Sequence, residues 1–220
     1  MQNKLPVPNI VITDTVAFLN TEESEIKIDT LTIKSKPFVL NNLVCNWKHF
    51  FIIYDDYGLD IEAKLYDYKT KKIILEYYES PKFPEYYYDY KSATYFDSIN
   101  KKHFDDFNFD GLKDFSIYNY GSMPMTSLTA IYLFNNKTKK FEYSDELSDN
   151  IIEEIDSVKK TLKTSSWNME YHFEKKHHFN KSGTIMFTED FTFPNDTAIV
   201  YYKKIRNGKI VEQRTEKIEE

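Results

Sequence analysis

Four oxygen-bearing side chains fall at positions 1, 3, 5 and 9 of Asp106-Phe107-Asn108-Phe109-Asp110-Gly111-Leu112-Lys113-Asp114, with glycine at position 6. That is the donor chemistry of a hard cation. Calcium takes six to eight oxygens from carboxylates, amide carbonyls and backbone carbonyls. The alternation turns Asp106, Asn108 and Asp110 toward one point, and Gly111 permits the sharp turn that brings the chain back. The carbonyl of Leu112 and the carboxylate of Asp114 then close the shell. Three carboxylates around one point repel one another unless a cation sits between them. The competing reading is an ordinary Asp-Gly turn with solvated acids.

The run is not an EF-hand. Such a loop ends on a bidentate Glu at position 12 and is flanked by helices. Position 12 here is Ile117, and Phe115 to Tyr120 alternates as a strand does.

Other chemistry is thinner. His172, His177 and His178 lie close in sequence, and a strand would put His172 and His178 on one face. No cysteine and no third ligand joins them for zinc, so a solvated strand end is the plainer reading. Gly-x-Ser-x-Gly, phosphate-loop and His-Glu-x-x-His motifs are absent from the sequence. A glycosidase needs two carboxylates across a cleft, but with 35 acidic residues a pair is always available. The expectation is a protein that is not an enzyme. Tyr86, Tyr87, Tyr88 and Tyr90 crowd a proline-containing loop over 79–91, which fits a partner interface or a sugar-stacking surface. They fit equally well as rings folded back over a sheet edge.

The elements that position these residues read as strands. Of 220 residues, 18 are Tyr and 17 Phe, both strand-favouring, and Gly and Pro number only 5 and 7. The net charge of −6 argues against a nucleic-acid partner. The single cysteine, Cys45, excludes an internal disulfide framework. No stretch approaches the apolar length of a membrane span. The first residues lack the apolar core of a leader. The expectation is therefore a cytoplasmic protein, or a periplasmic or envelope-anchored one whose leader, with or without a lipid anchor, was removed.

In chain order, residues 1–8 read as a flexible arm and 9–220 as a single β domain. Its N-terminal sheets occupy 9–100, and the calcium loop and C-terminal sheets occupy 101–220. Strand candidates include Phe38 to Cys45, Lys48 to Tyr54, Ile61 to Tyr68, Ile73 to Tyr78, and Thr94 to Ile99 leading into the loop. Trp167 to Phe179 and Gly183 to Phe193 flank a turn. Ala198 to Arg206 and Lys209 to Lys217 flank Asn207-Gly208, the strongest short hairpin signal. Leu147, Ile151, Ile155, Val158 and Leu162 recur at spacings of 4, 4, 3 and 4. That periodicity predicts a short helix near 145–154, followed by an extended segment. The fold class expected is all-β, an antiparallel meander.

Residues 104 to 147 carry a resemblance. Phe104-Asp105, the loop, Phe115-Ser116-Ile117, Gly121, Tyr132-Leu133-Phe134-Asn135, Lys139-Lys140-Phe141 and Glu146-Leu147 follow in that order. A ligand at position 9 followed by a strand is the pattern of calcium loops in β-propeller blades. The segment resembles a bacterial family of propeller-like β proteins that act as immunity proteins, inhibiting lysozyme-like peptidoglycan-degrading effectors of secretion systems. The resemblance implies a β-propeller-like fold, a structural Ca2+ and a periplasmic or lipid-anchored location. It also implies a cognate effector toxin as partner. Carried over by position, the metal ligands are Asp106, Asn108, Asp110, Leu112 through its carbonyl, and Asp114. The loops 79–91 and 121–127 are the expected inhibitory surface. The alternative is a cell-surface carbohydrate-binding or adhesin-like β domain in which calcium only staples a loop.

Overall fold

The computed structural model describes residues 13–20, 25–54, 58–79, 95–120, 127–148, 150–195 and 197–217. They form three antiparallel sheets and one helix, an all-β protein as the alternation predicted. None of the three sheets closes on itself among the described residues. The chain divides into two compact units, Met1–His103 with Asn135–Phe141, and Phe104–Phe134 with Glu142–Glu220.

The first unit holds a six-stranded sheet: β1 (Thr13–Asn20), β2 (Glu25–Lys34), β3 (Phe38–Leu40), β4 (Leu43–Tyr54), β5 (Gly58–Asp67) and β6 (Ile73–Glu79). The order is β1-β2-β4-β5-β6, with β3 paired to β4. Side chains alternate between faces along a strand, so Cys45, Trp47, His49 and Phe51 of β4 all point to one face, and all four are fully buried. Their cross-strand partners complete the layer. Trp47 faces Leu65, His49 faces Ala63 and Phe51 faces Ile61, while Ile33 and Leu31 lie opposite His49 and Phe51 on the other side.

Helix α1 (Tyr95–His103) covers this layer. Its buried residues Tyr95, Phe96, Ile99 and His103 share one helical stripe. The Tyr95 hydroxyl lies 2.9 Å from His49 Nδ1, and Trp47 Nε1 donates to Asn100 Oδ1 at 2.9 Å. The strand expected over Thr94 to Ile99 is thus a helix. Aromatic residues there gave the local preference, but the 3.6-residue stripe, with Asp97 in the first turn and Lys101 and Lys102 in the last, decides the outcome.

A four-stranded sheet holds β7 (Phe104–Asp105), β8 (Asp114–Tyr120), β9 (Ser127–Asn135) and β10 (Lys140–Tyr143), ordered β10-β9-β8-β7. A third sheet runs β11 (Ile151–Asp156), β12 (Thr161–Trp167), β13 (Tyr171–Phe179), β14 (Ile185–Pro194), β15 (Ile199–Arg206) and β16 (Lys209–Lys217), in sequence order. Phe107, Phe109, Ile131, Leu147, Leu162 and Phe179 make its core. Asn207 and Gly208 both take positive φ, 51° and 69°, as their hairpin requires.

The helix expected near 145–154 does not form. Ser148 N donates to Ser144 O at 3.0 Å in a single turn, and Ile151–Asp156 is a strand. A spacing of four is in register with a helix and also with a strand's period of two, so the pattern had two solutions. Val158, counted in the helical stripe, is 92% exposed in the β11–β12 turn. The segment Trp167 to Phe179, expected as one strand, reverses at Asn168 to Glu170, so that Trp167 pairs with His172. No helix among the described residues is long and apolar enough to cross a membrane.

Candidate metal centre

The loop Asp106 to Lys113 joins two strand ends that are already paired, Asp105 opposite Asp114. Eight residues must therefore turn back on themselves, and their own side chains do it. Asp106 accepts the Asp110 N–H at Oδ1 (3.1 Å) and the Gly111 N–H at Oδ2 (2.9 Å). Asn108 Oδ1 also accepts the Asp110 N–H at 3.1 Å, and Asp110 Oδ1 accepts the Leu112 N–H at 2.8 Å. Short side chains bonding backbone groups a few residues on is how Asx turns form. Gly111 takes a φ of +88°, and Phe109 takes +62°. Phe109 is offset for that conformation by burial of its ring, edge to face against Phe179 at 5.4 Å.

Asp114 differs from the rest. It is fully buried, and its carboxylate accepts the Phe107 N–H at Oδ2 (3.0 Å) and the Phe134 N–H at Oδ1 (2.8 Å). Burial pushes its carboxyl up to about 7. The Phe134 and Phe107 N–H groups pull the other way, and the negative charges of Asp110 and Asp106 add to the rise. Two lysines reach the loop. Lys113 pairs with Asp105 at 2.9 Å, and Lys160 Nζ donates to the Phe109 carbonyl at 3.0 Å. Among the described residues no ion pair reaches Asp106, Asp110 or Asp114.

A second wall was not legible in the sequence. The β13–β14 turn is folded by Asn180, whose Oδ1 accepts the N–H groups of Ser182 (2.9 Å) and Thr184 (3.0 Å). Its Gly183, at φ +78°, lies against the loop: a Cβ there would sit 2.8 Å from Asp110 Cβ and 2.9 Å from Asn108 Nδ2. Asn180-Lys181-Ser182-Gly183 reads as a turn, but nothing local says where the turn lies. Gly183 also lines a groove of about 420 Å³ in which Glu146 is the one charged residue.

The donor set suits a hard cation. Asp106, Asn108 and Asp110 are linked through one turn, and each carboxylate oxygen that accepts one N–H keeps a second lone pair. Asp114 is raised mainly by burial, with the charges of Asp110 and Asp106 as smaller contributions, and a nearby cation would favour its ionised form. The carboxylates alone do not make a shell. Among the described residues no three Asp, Glu, His or Cys side chains converge as a metal-holding group.

The histidines of β13 are engaged in packing. His172 stacks between Trp167 (5.2 Å) and Phe193 (5.4 Å). His178 stacks on Phe187 at 4.1 Å and meets Glu189 at 2.7 Å. His177 is buried, 3.0 Å from the Thr188 hydroxyl. Cys45 is buried, and burial raises its thiol to about 12, where it is inert. Tyr86, Tyr87, Tyr88 and Tyr90 lie outside the described residues, as do 121–126 of the second loop expected at the inhibitory surface. No protein-family model, no curated protein and no solved structure matches this chain.

Proposed function

We propose that the chain is an immunity-type inhibitor that binds a bacterial peptidoglycan-degrading effector and occludes its cleft, with a structural Ca2+ in the 106–114 loop. The observation that carries this reading is the loop itself. A self-folded turn of acids, with Asp106 and Asp110 near a buried Asp114, leads directly into a strand of an all-β protein. Asp106, Asn108, Asp110, the Leu112 carbonyl and Asp114 would hold the ion. The ion supplies positive charge that neutralises the three carboxylates. The loop then serves as a rigid brace between β7 and β8, and the protein acts by binding, without catalysis. A propeller-like arrangement of the sheets and an envelope location belong to the same reading.

The test is a lysis assay. Purified protein in excess is mixed with the peptidoglycan hydrolase encoded beside its gene, and the rate of cell-wall clearing is followed. The rate is expected to fall to a small fraction of the free enzyme's. An unchanged rate at saturating protein rejects the inhibitor.

A further inference from the structure

The third sheet has two ends. The metal loop meets one of them, at the β13–β14 turn. The nine residues of β13 carry the chain about 27 Å away at strand rise, to a hairpin tip at Asn168 to Glu170.

That tip is held in one shape. Asn168 N donates to the Tyr171 carbonyl at 2.9 Å, and Asn168 Oδ1 accepts the N–H groups of Glu170 (2.9 Å) and Tyr171 (2.7 Å). The neighbouring β14–β15 turn pins it from the side. Asn195 Nδ2 donates to the Met169 carbonyl at 2.8 Å, and Asn195 N donates to the Glu170 carbonyl at 2.9 Å. On this fixed backbone Met169 is 90% exposed and Trp167 45% exposed. The Trp167 ring is backed by His172, parallel within 12°, and His172 in turn by Phe193. The indole thus presents to solvent in an orientation that is set in advance.

The exposed Met169 side chain and the open face of Trp167 give little to the fold. A rigid tip does lower the ordering cost of association, and Met and Trp are enriched at interface cores. A narrow convex tip calls for a concave partner, and enzyme clefts are concave and largely apolar. Charge would favour a partner whose cleft rim is basic, as suits an enzyme that attracts a carboxylate-bearing glycan. This chain carries a net charge of −6, with an exposed Glu170 on the tip. A two-fold contact between copies through the tip would instead bring the two Glu170 side chains together.

We propose that the β12–β13 hairpin tip, with Trp167 and Met169 as its apolar anchors, is the element that enters the cleft of the partner enzyme. This rests on the inhibitor reading above, and it places the blocking surface outside the two loops that the sequence indicated.

The test uses the full chain against the neighbouring hydrolase, a lysozyme-type hydrolase and an amidase-type hydrolase, with inhibition constants measured for wild type, Met169→Glu, Trp167→Ala and Val158→Glu. Met169→Glu is expected to weaken inhibition about 30-fold or more with the melting temperature unchanged. Trp167→Ala is expected to weaken it similarly. Val158→Glu, equally exposed at the opposite end of the sheet, is expected to change nothing. If wild type inhibits and Met169→Glu inhibits as well, the tip is rejected and the inhibitor stands. If wild type inhibits none of the three enzymes, both fall. The tip is also rejected if Met169→Glu dissolves a homodimer while inhibition persists. The same holds if Trp167→Ala abolishes binding to chitooligosaccharide while inhibition persists.

Discussion

Asp114 concentrates the energetics of the loop. It is a fully buried carboxylate with two backbone N–H partners and two like charges nearby. A cation bound only by the folded state raises stability by mass action, about 2.7 kcal/mol at a hundredfold excess over Kd. Wild type is therefore expected to melt several degrees higher in Ca2+ than in chelator, and Asp110→Ala to lose most of that difference. Identical melting with and without the ion rejects the metal. Gly183 tests the second wall. Gly183→Ala meets both a left-handed φ and a 2.8 Å contact with Asp110, whereas Gly208→Ala meets only the φ of +69°, with nothing within 4 Å. Urea titration is expected to show about 1 kcal/mol lost at Gly208 and about 2–3 kcal/mol at Gly183. Equal losses would mean that the turn does not press on the loop.

Two buried histidines give a pH dependence at the same scale. Burial lowers His49 to about 3, with His103 adding to the effect. Burial lowers His177 to about 4, helped by Lys175 and His178. Both lie below the unfolded value near 6.5, so the unfolded chain takes up protons first. Their contribution is intact above pH 6.5 and is lost as pH falls toward 4 for His177 and toward 3 for His49. Each costs up to about 1.4 kcal/mol per pH unit in that window. Denaturant midpoints measured in chelator from pH 6.5 to 5 are expected to fall, because proton uptake by the folded Asp114, raised to about 7, offsets only one of the two histidines, and His49→Phe is expected to flatten the slope. A midpoint that stays level over that range would contradict the burial of both rings.

At the scale of elements, the β12–β13 hairpin owes its shape to side chains and not to turn residues with positive φ. Asn168→Ala removes the acceptor for two N–H groups at once and is expected to cost about 1 kcal/mol. Amide exchange at Glu170 and Tyr171 should accelerate while β13 beyond Phe173 stays protected. Uniform acceleration along the strand would show that the tip has no local stability of its own. Helix α1 illustrates the same balance from the other side. Its aromatic residues favour a strand locally, yet burying Tyr95, Phe96 and Ile99 on one stripe outweighs that preference.

At the scale of the molecule, the division into two units has a thermodynamic consequence, since chains with separate cores need not unfold in one step. Calorimetry is expected to resolve two transitions, and chelation to move only the one belonging to the unit that holds the loop. A single transition that shifts as a whole would indicate one cooperative body.

Much was determined by the order of residues alone. Strand-favouring runs at Lys48 to Tyr54 and Ile73 to Tyr78 mark strands, though only the fold joins Cys45, Trp47, His49 and Phe51 into one buried face of β4. Asn207-Gly208 marks a hairpin, because few residue pairs accept positive φ twice. Asp106 to Asp114 marks a turn made by its own acids. These are local matters, decided within a few residues by sterics and hydrogen bonding. Contacts between segments distant in sequence were not legible there. Spacings of four could not choose between helix and strand at Leu147 to Ile155, because burial chooses and burial is a property of the assembled core. Gly183 against Asp110, and Asn195 holding Met169, join positions 73 and 26 residues apart. Only packing of the folded chain creates such contacts, because no rule of local spacing reaches that far.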